Sequence, residues 1–125
     1  MMIQIMMVSD HRLFRSGLKL IFKNDYPDLC ITGEADDGDD LFCILPDIPA
    51  DIVILDINQH SPQTVEIVRR LHIDYPHLKI LAIAGDHSDE TIKAMLEEGI
   101  DGVVSKRHDS PDKFAETIRS TVNRK

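Results

Sequence analysis

Asp51-Ile52-Val53-Ile54-Leu55-Asp56-Ile57 is the stretch from which the rest of the sequence is best read. Its interior is apolar at both alternating sets of positions and rich in β-branched residues. That predicts a strand buried on both faces, as in a parallel sheet covered by helices. The run ends on an acid, Asp56. In such sheets the ligand cleft lies beyond the carboxyl ends of the strands, where the strand order reverses.

Four more runs of this kind flank it. Ile3–Val8 and Leu29–Thr32 precede it, and Leu78–Ala84 and Gly102–Ser105 follow. Helical spacing fills the intervals. Leu13, Phe14, Gly17, Leu18, Ile21 and Phe22 predict an amphipathic helix over His11–Lys23. Leu41, Phe42 and Leu45 predict a short helix ended by Pro46. Val65, Val68, Leu71 and Tyr75 predict a third, and Ile92, Met95 and Leu96 a fourth that stops at Gly99. The fifth carries Phe114, Ala115, Ile118 and Val122, and opens on Ser110-Pro111, an N-cap followed by an N1 proline. Five β-then-α units predict a parallel sheet with helices on both faces.

The composition agrees. The chain has 125 residues, one domain's worth. Lys and Arg number 14 against 22 Asp and Glu, a net charge of −8, which disfavours direct nucleic-acid binding. Cys30 and Cys43 are too few and too far apart for a disulfide framework or a CxxC metal site, and read as small buried apolar residues. The opening MMIQIMMV lacks a basic region and a cleavage site and is too short to span a bilayer, so the chain reads as cytoplasmic, without membrane attachment. Its methionines read as core filler.

The strand ends hold the candidate chemistry. Ser9-Asp10 ends the first strand, Asp56-Ile57-Asn58 the third, Ala84-Gly85 the fourth and Ser105-Lys106 the fifth. Each has a plain reading: Asp10 as an N-cap of the first helix, Asp56 as a polar strand end, Lys106 as a solvated cation. Together they suggest more. Two adjacent carboxylates repel, and Mg²⁺ relieves the repulsion. Asp56 would then attack phosphorus as a nucleophile, with Lys106 pairing to the phosphoryl oxygens.

In this order and spacing the pieces resemble the receiver domain of two-component response regulators, in the NarL/FixJ (LuxR-type) branch. The resemblance covers the whole chain, 1–125. It rests on MIQIMMVSDHRLFRSGLKLIF over Met2–Phe22, with Asp10-His11 and the Arg15, Gly17, Leu18 spacing, and on ITGEADDG over Ile31–Gly38. Asp51–Ile57, EIVRRL over Glu66–Leu71 and GVVSK over Gly102–Lys106 complete it. It implies a CheY-like, flavodoxin-like (βα)5 doubly wound α/β fold, with strand order 2-1-3-4-5. Asp56 would be the phosphoacceptor. Asp10, Asp56 and the backbone carbonyl of Asn58 would hold Mg²⁺. Lys106 and the Gly85 backbone would contact the phosphoryl group. The implied partners are a sensor histidine kinase, a second copy in a homodimer, and DNA through a separate C-terminal helix-turn-helix domain.

The departures from the family pattern are specific. Ser9 stands where an acid is usual, so its place among the metal ligands is in doubt and weaker Mg²⁺ binding is expected. Ala84 stands where a hydroxyl is usual, and Val103 where an aromatic is usual. Two rival readings follow: a working but atypical receiver, or a degenerate one that binds or dimerises regardless of phosphorylation. An aspartyl phosphatase of the haloacid dehalogenase type is disfavoured, because Asp56-Ile57-Asn58-Gln59-His60 lacks its second acid and Gly-Thr. His11 reads as structural or as lining the site mouth. His60, His72, His77, His87 and His108 lack zinc spacing and read as solvated. The acidic run Asp36–Asp40 reads as a cap for the second helix, not a calcium loop.

Overall fold

The computed structural model describes residues 2–57, 62–85, 89–107 and 109–124, with only the backbone at residues 57 and 62. Strands and helices alternate along the chain. They are β1 (Ile3–Val8), α1 (Arg12–Asp25), β2 (Leu29–Ala35), α2 (Gly38–Ile44), β3 (Ile52–Ile57), α3 (Pro62–Asp74), β4 (Lys79–Ala84), α4 (Asp89–Glu97), β5 (Gly102–Ser105) and α5 (Pro111–Asn123). All strand pairs are parallel and the order is 2-1-3-4-5, as expected. The chain leaves β1 for β2 on one side and returns to its other side as β3. The order therefore reverses at β1 and β3, which points to their carboxyl ends as the cleft.

The two-residue period of the strands sorts the apolar side chains into two cores. Ile3, Ile5 and Met7 of β1, Ile52 and Ile54 of β3, and Val104 of β5 pack with Leu18 and Phe22 of α1 and Phe114 and Ile118 of α5. Met6 and Val8 of β1, with Val53 and Leu55 of β3, face the other way, against Leu41 of α2, Val68 and Leu71 of α3 and Met95 of α4. Burying each such side chain fully is worth about 1.5–3 kcal/mol. A slip of one residue would exchange the two sets, so register is strongly specified. The same parity carries past the strand ends. Ser9 continues the series 3, 5, 7, Asp56 continues 52, 54, and Lys106 follows 104. All three belong to the side covered by α1 and α5, and Asp10 to the other parity.

Several helix ends follow the sequence. Ser110 accepts a hydrogen bond from the Lys113 N–H at 3.2 Å, with Pro111 opening α5. Asp37 accepts from the Asp40 N–H at 2.9 Å, so the acidic run does cap α2. At α1 the N-cap reading of Asp10 fails. The helix starts one residue later than expected, and its N-cap is His11, whose side chain makes no capping hydrogen bond.

Other expectations are corrected by geometry. Leu13 is 90% exposed, because the inward stripe of α1 is Phe14, Leu18, Ile21 and Phe22, and a neighbouring residue is rotated by about 100°. Leu96 is exposed for the same reason, beside the buried Met95. β2 runs past Thr32 to Ala35, through a register shift opposite Ile5 and Met6. Gly33, which ends the apolar run in sequence, leaves the room that the Met6 side chain fills. Cys30 lies half-buried on the edge strand β2 and Cys43 is exposed on α2, so neither is a core residue. Met6 and Met7 are fully buried, whereas Met2, just ahead of β1, is exposed.

The stop at Gly99 is as expected. Its φ is +92°, the Gly99 N–H donates to the Leu96 carbonyl, and the Ile100 N–H donates to the Met95 carbonyl. These are the two bonds of a Schellman motif, with Ile100 and Met95 in one core. Gly17 is its opposite: it lies inside α1, and nothing would meet a Cβ there within 4 Å. Gly99→Ala should therefore lower stability by about 1–2 kcal/mol, and Gly17→Ala should raise it by about 0.4–1 kcal/mol. Urea unfolding midpoints for the two variants should move in opposite directions.

Candidate functional site

The Asp56 side chain has no exposed surface. A carboxylate taken out of water is costly unless donors replace the solvent. Its Oδ2 has two: the Ser9 hydroxyl donates at 2.6 Å and the Lys106 ammonium at 3.0 Å. Its Oδ1 is buried and has no hydrogen-bond partner among the described residues. One oxygen is thus anchored, while the other suits a hard cation or an electrophile.

Lys106 follows the last residue of β5. Its N–H donates to the Ala84 carbonyl at 3.0 Å, one step beyond the β4–β5 ladder. The side chain then reaches across the end of β4 to Asp56 on β3. There the ammonium lies 3.3 Å from the His11 Nδ1 and 4.3 Å from the centroid of the Phe14 ring. The His11 contact is a hydrogen bond when Nδ1 carries no proton.

Ser9 is 2% exposed, and its hydroxyl has a second contact, accepting from the His11 N–H at 3.1 Å. Its place in the sequence suggests a doubtful metal ligand; the structure makes it a donor to Asp56. The residue type explains this, since a carboxylate there would meet Oδ2 as a second anion.

The backbone of Ser9 is held in turn. Its N–H donates to the Ala35 carbonyl at 2.9 Å. Arg15, with a side chain only 13% exposed, donates through Nη1 to the Ser9 carbonyl at 2.5 Å, the Ala35 carbonyl at 3.0 Å and Asp36 Oδ1 at 2.9 Å. Its Nε donates to Glu34 at 3.1 Å. Hydrogen bonds from Arg12 and then Arg15 hold the Asp36 carboxyl below its ordinary range. One α1 guanidinium therefore ties the ends of β1 and β2 together.

The remaining candidates are more dispersed. Asp10 is exposed at the end of β1. Gly85 directly follows β4, and the half-buried Ala84 offers no hydroxyl. Val103 is 36% exposed on β5, at the opposite parity from Val104. Asn58, His60, His87 and His108 lie outside the described residues. Among the described residues no three His, Cys, Asp or Glu side chains group as a metal site, and no helix is long and apolar enough to cross a membrane. Sequence reasoning missed two site residues, Phe14 and Arg15. Phe14 reads as core stripe and Arg15 as part of a motif; the signal that joins Phe14 to Lys106 is the shared side of the sheet.

The family model for the response regulator receiver domain matches residues 5–119. The chain is 28% identical to the transcriptional regulatory protein DegU of Brevibacillus brevis, covering 94% of this chain and 49% of that protein. It is 25% identical to the response regulator protein VraR of Staphylococcus saprophyticus subsp. saprophyticus, covering 98% and 58%. The chain thus spans about half the length of the curated relatives it matches. Among solved structures, a LuxR-family two-component response regulator from Aurantimonas sp. SI85-9A1 superposes with a TM-score of 0.83 at 23% identity, covering 98% of this chain and 86% of that one. The isolated receiver domain of RcsB from Salmonella enterica serovar Typhimurium gives 0.77 at 18% identity, covering 93% and 85%. With the family model lying over nearly all of its length and the sheet wound in the matching order, the chain belongs to the response regulator receiver domains.

Proposed function

We propose that this domain accepts a phosphoryl group on Asp56 from a sensor histidine kinase and regulates an output, transcription, through a separate DNA-binding domain of the full-length protein. The observation that carries the reading is the Asp56 carboxylate, buried and anchored to the Lys106 ammonium through Oδ2, with an Oδ1 that has no hydrogen-bond partner among the described residues. In the reaction a carboxylate oxygen of Asp56 attacks the phosphorus of a phosphohistidine. A P–O bond forms, the P–N bond breaks, and the departing imidazole takes a proton. Lys106 shifts its ammonium from Oδ2 to the incoming phosphoryl oxygens. The Gly85 backbone, just beyond β4, is the second phosphoryl contact of this reading.

The donor set fits Mg²⁺, which settles for one or two carboxylates and keeps several waters. The buried Oδ1 of Asp56 and the exposed Asp10 would be the carboxylate ligands, and the resemblance adds the carbonyl of Asn58, which lies outside the described residues. Bound there, Mg²⁺ would neutralise charge on the transferring phosphoryl group. Ser9 contributes a hydroxyl in place of a third negative charge.

Ala84 and Val103 shape the response. A phosphoryl group biases a conformational equilibrium only by what it contacts differently in the two states. With no hydroxyl at 84 and no aromatic at 103, the bias is small. Leu96 of α4 and Val103 of β5, both apolar and exposed, offer a homodimer surface in this cytoplasmic protein. The phosphorylation-independent binding module is the less favoured reading, since it leaves the Ser9–Asp56–Lys106 arrangement without a use.

Intact-mass measurement after treatment with acetyl phosphate and Mg²⁺ should show one added phosphoryl group on the wild type and none on Asp56→Asn. Addition that persists in Asp56→Asn overturns the assignment. Ser9→Asp should tighten Mg²⁺ binding by about tenfold or more, as one added charge beside the ion implies, read by calorimetric titration without a phosphodonor.

A further inference from the structure

A lysine ammonium is a compact, strongly hydrated charge on a flexible stem. Lys106 stands at the start of the turn after β5, yet its ammonium is held inward at Asp56. From the side it is met by His11 Nδ1 at 3.3 Å and by the Phe14 ring, 4.3 Å from Nζ to the centroid. The ring distance is well inside the ~6 Å over which a ring face attracts a cation. The ring is itself fixed: it lies in the first turn of α1 and packs, partly buried, against the core of Leu18, Phe22 and Val104. Parity places Lys106 on the same side of the sheet. A leucine would satisfy the inward stripe of α1 as well as phenylalanine does, so packing alone does not account for an aromatic at this position.

We infer that Phe14 is a positioning residue for Lys106: its ring seats the ammonium beside Asp56. The inference rests on the reading of Asp56 as phosphoacceptor and adds a residue to it. The seat matters because the contact with Asp56 changes during the reaction. Once Asp56 carries a phosphoryl group its carboxylate charge is gone, and the ammonium must follow the phosphoryl oxygens. The ring is a contact that does not depend on the charge of Asp56. It keeps Lys106 within reach before, during and after transfer.

The test compares Phe14→Leu, which keeps the apolar bulk, with Phe14→Tyr, which keeps the ring face. With acetyl phosphate and Mg²⁺, Phe14→Leu should slow phosphorylation by about threefold to tenfold, and Phe14→Tyr should stay within about twofold of wild type. In a Lys106→Ala background, Phe14→Leu should have no further effect. A second readout needs no phosphodonor. The Lys106 Cε methylene protons should be shifted upfield by the ring current in wild type and Phe14→Tyr, and should lose that shift in Phe14→Leu. An equal slowing by Phe14→Leu with and without Lys106, or no ring-current shift in wild type, overturns the inference. If wild type takes no phosphoryl group, the Asp56 reading fails, and the methylene shift alone decides whether the seat exists.

Discussion

A buried carboxylate must be answered by donors, and the site is organised around answering the one at Asp56. With no exposed surface, its side chain draws the Ser9 hydroxyl from β1 and the Lys106 ammonium from β5 onto a single oxygen. Leaving such a group without partners would cost several kcal/mol, a large share of the stability of a domain this size. The other requirements follow. Lys106 must cross the end of β4, Ser9 must be held at the end of β1, and the helix after β1 must supply a surface for the lysine. The hydroxyl at position 9 belongs to the same balance: it lets Oδ2 be satisfied with one cation, where a second carboxylate would demand another.

The two-residue period of the sheet does most of the assembly. Residues 9, 56 and 106 are far apart in sequence, yet each continues the parity that sends Ile3, Ile54 and Val104 toward α1 and α5. Once hydrophobic burial fixes the register, the polar residues beyond the strand ends converge with no further instruction. Core and site are thus set by one constraint. A shift of one residue in β3 would send Asp56 to the α2–α4 side, along with the whole of its strand.

That economy explains how much the sequence reveals. Apolar runs such as Ile52–Leu55 and the punctuation at Gly99 and Ser110-Pro111 are local signals, and they locate the strands, the helices and the fold. Asp56 and Lys106 stand out because they follow such runs. What stays hidden depends on angles and distances between elements. Leu13 looks as apolar as Phe14, and only the helical rotation turns one to solvent and the other to Lys106. Ser9 looks like a lost acid, and only its 2.6 Å contact makes it a donor. Arg15 gives no local sign that it will reach two carbonyls on two strands. The apolar run stops at Thr32, and only the Met6 side chain in the space that Gly33 leaves shows how β2 continues past it.

The Arg15 guanidinium gives the molecule a mechanical asymmetry. It joins the backbones of Ser9 and Ala35 and two acidic side chains of the β2 end, so the β1–β2 corner is cross-braced by four bonds from one rigid planar group. Across the sheet, Lys106 meets Asp56, His11 and Phe14 through a single flexible side chain. When the charge at Asp56 changes, the braced corner serves as the stationary frame and the compliance lies at the β5 end. A rearrangement around Asp56 would thus fall first on the Lys106 side chain and the β5 end that carries it.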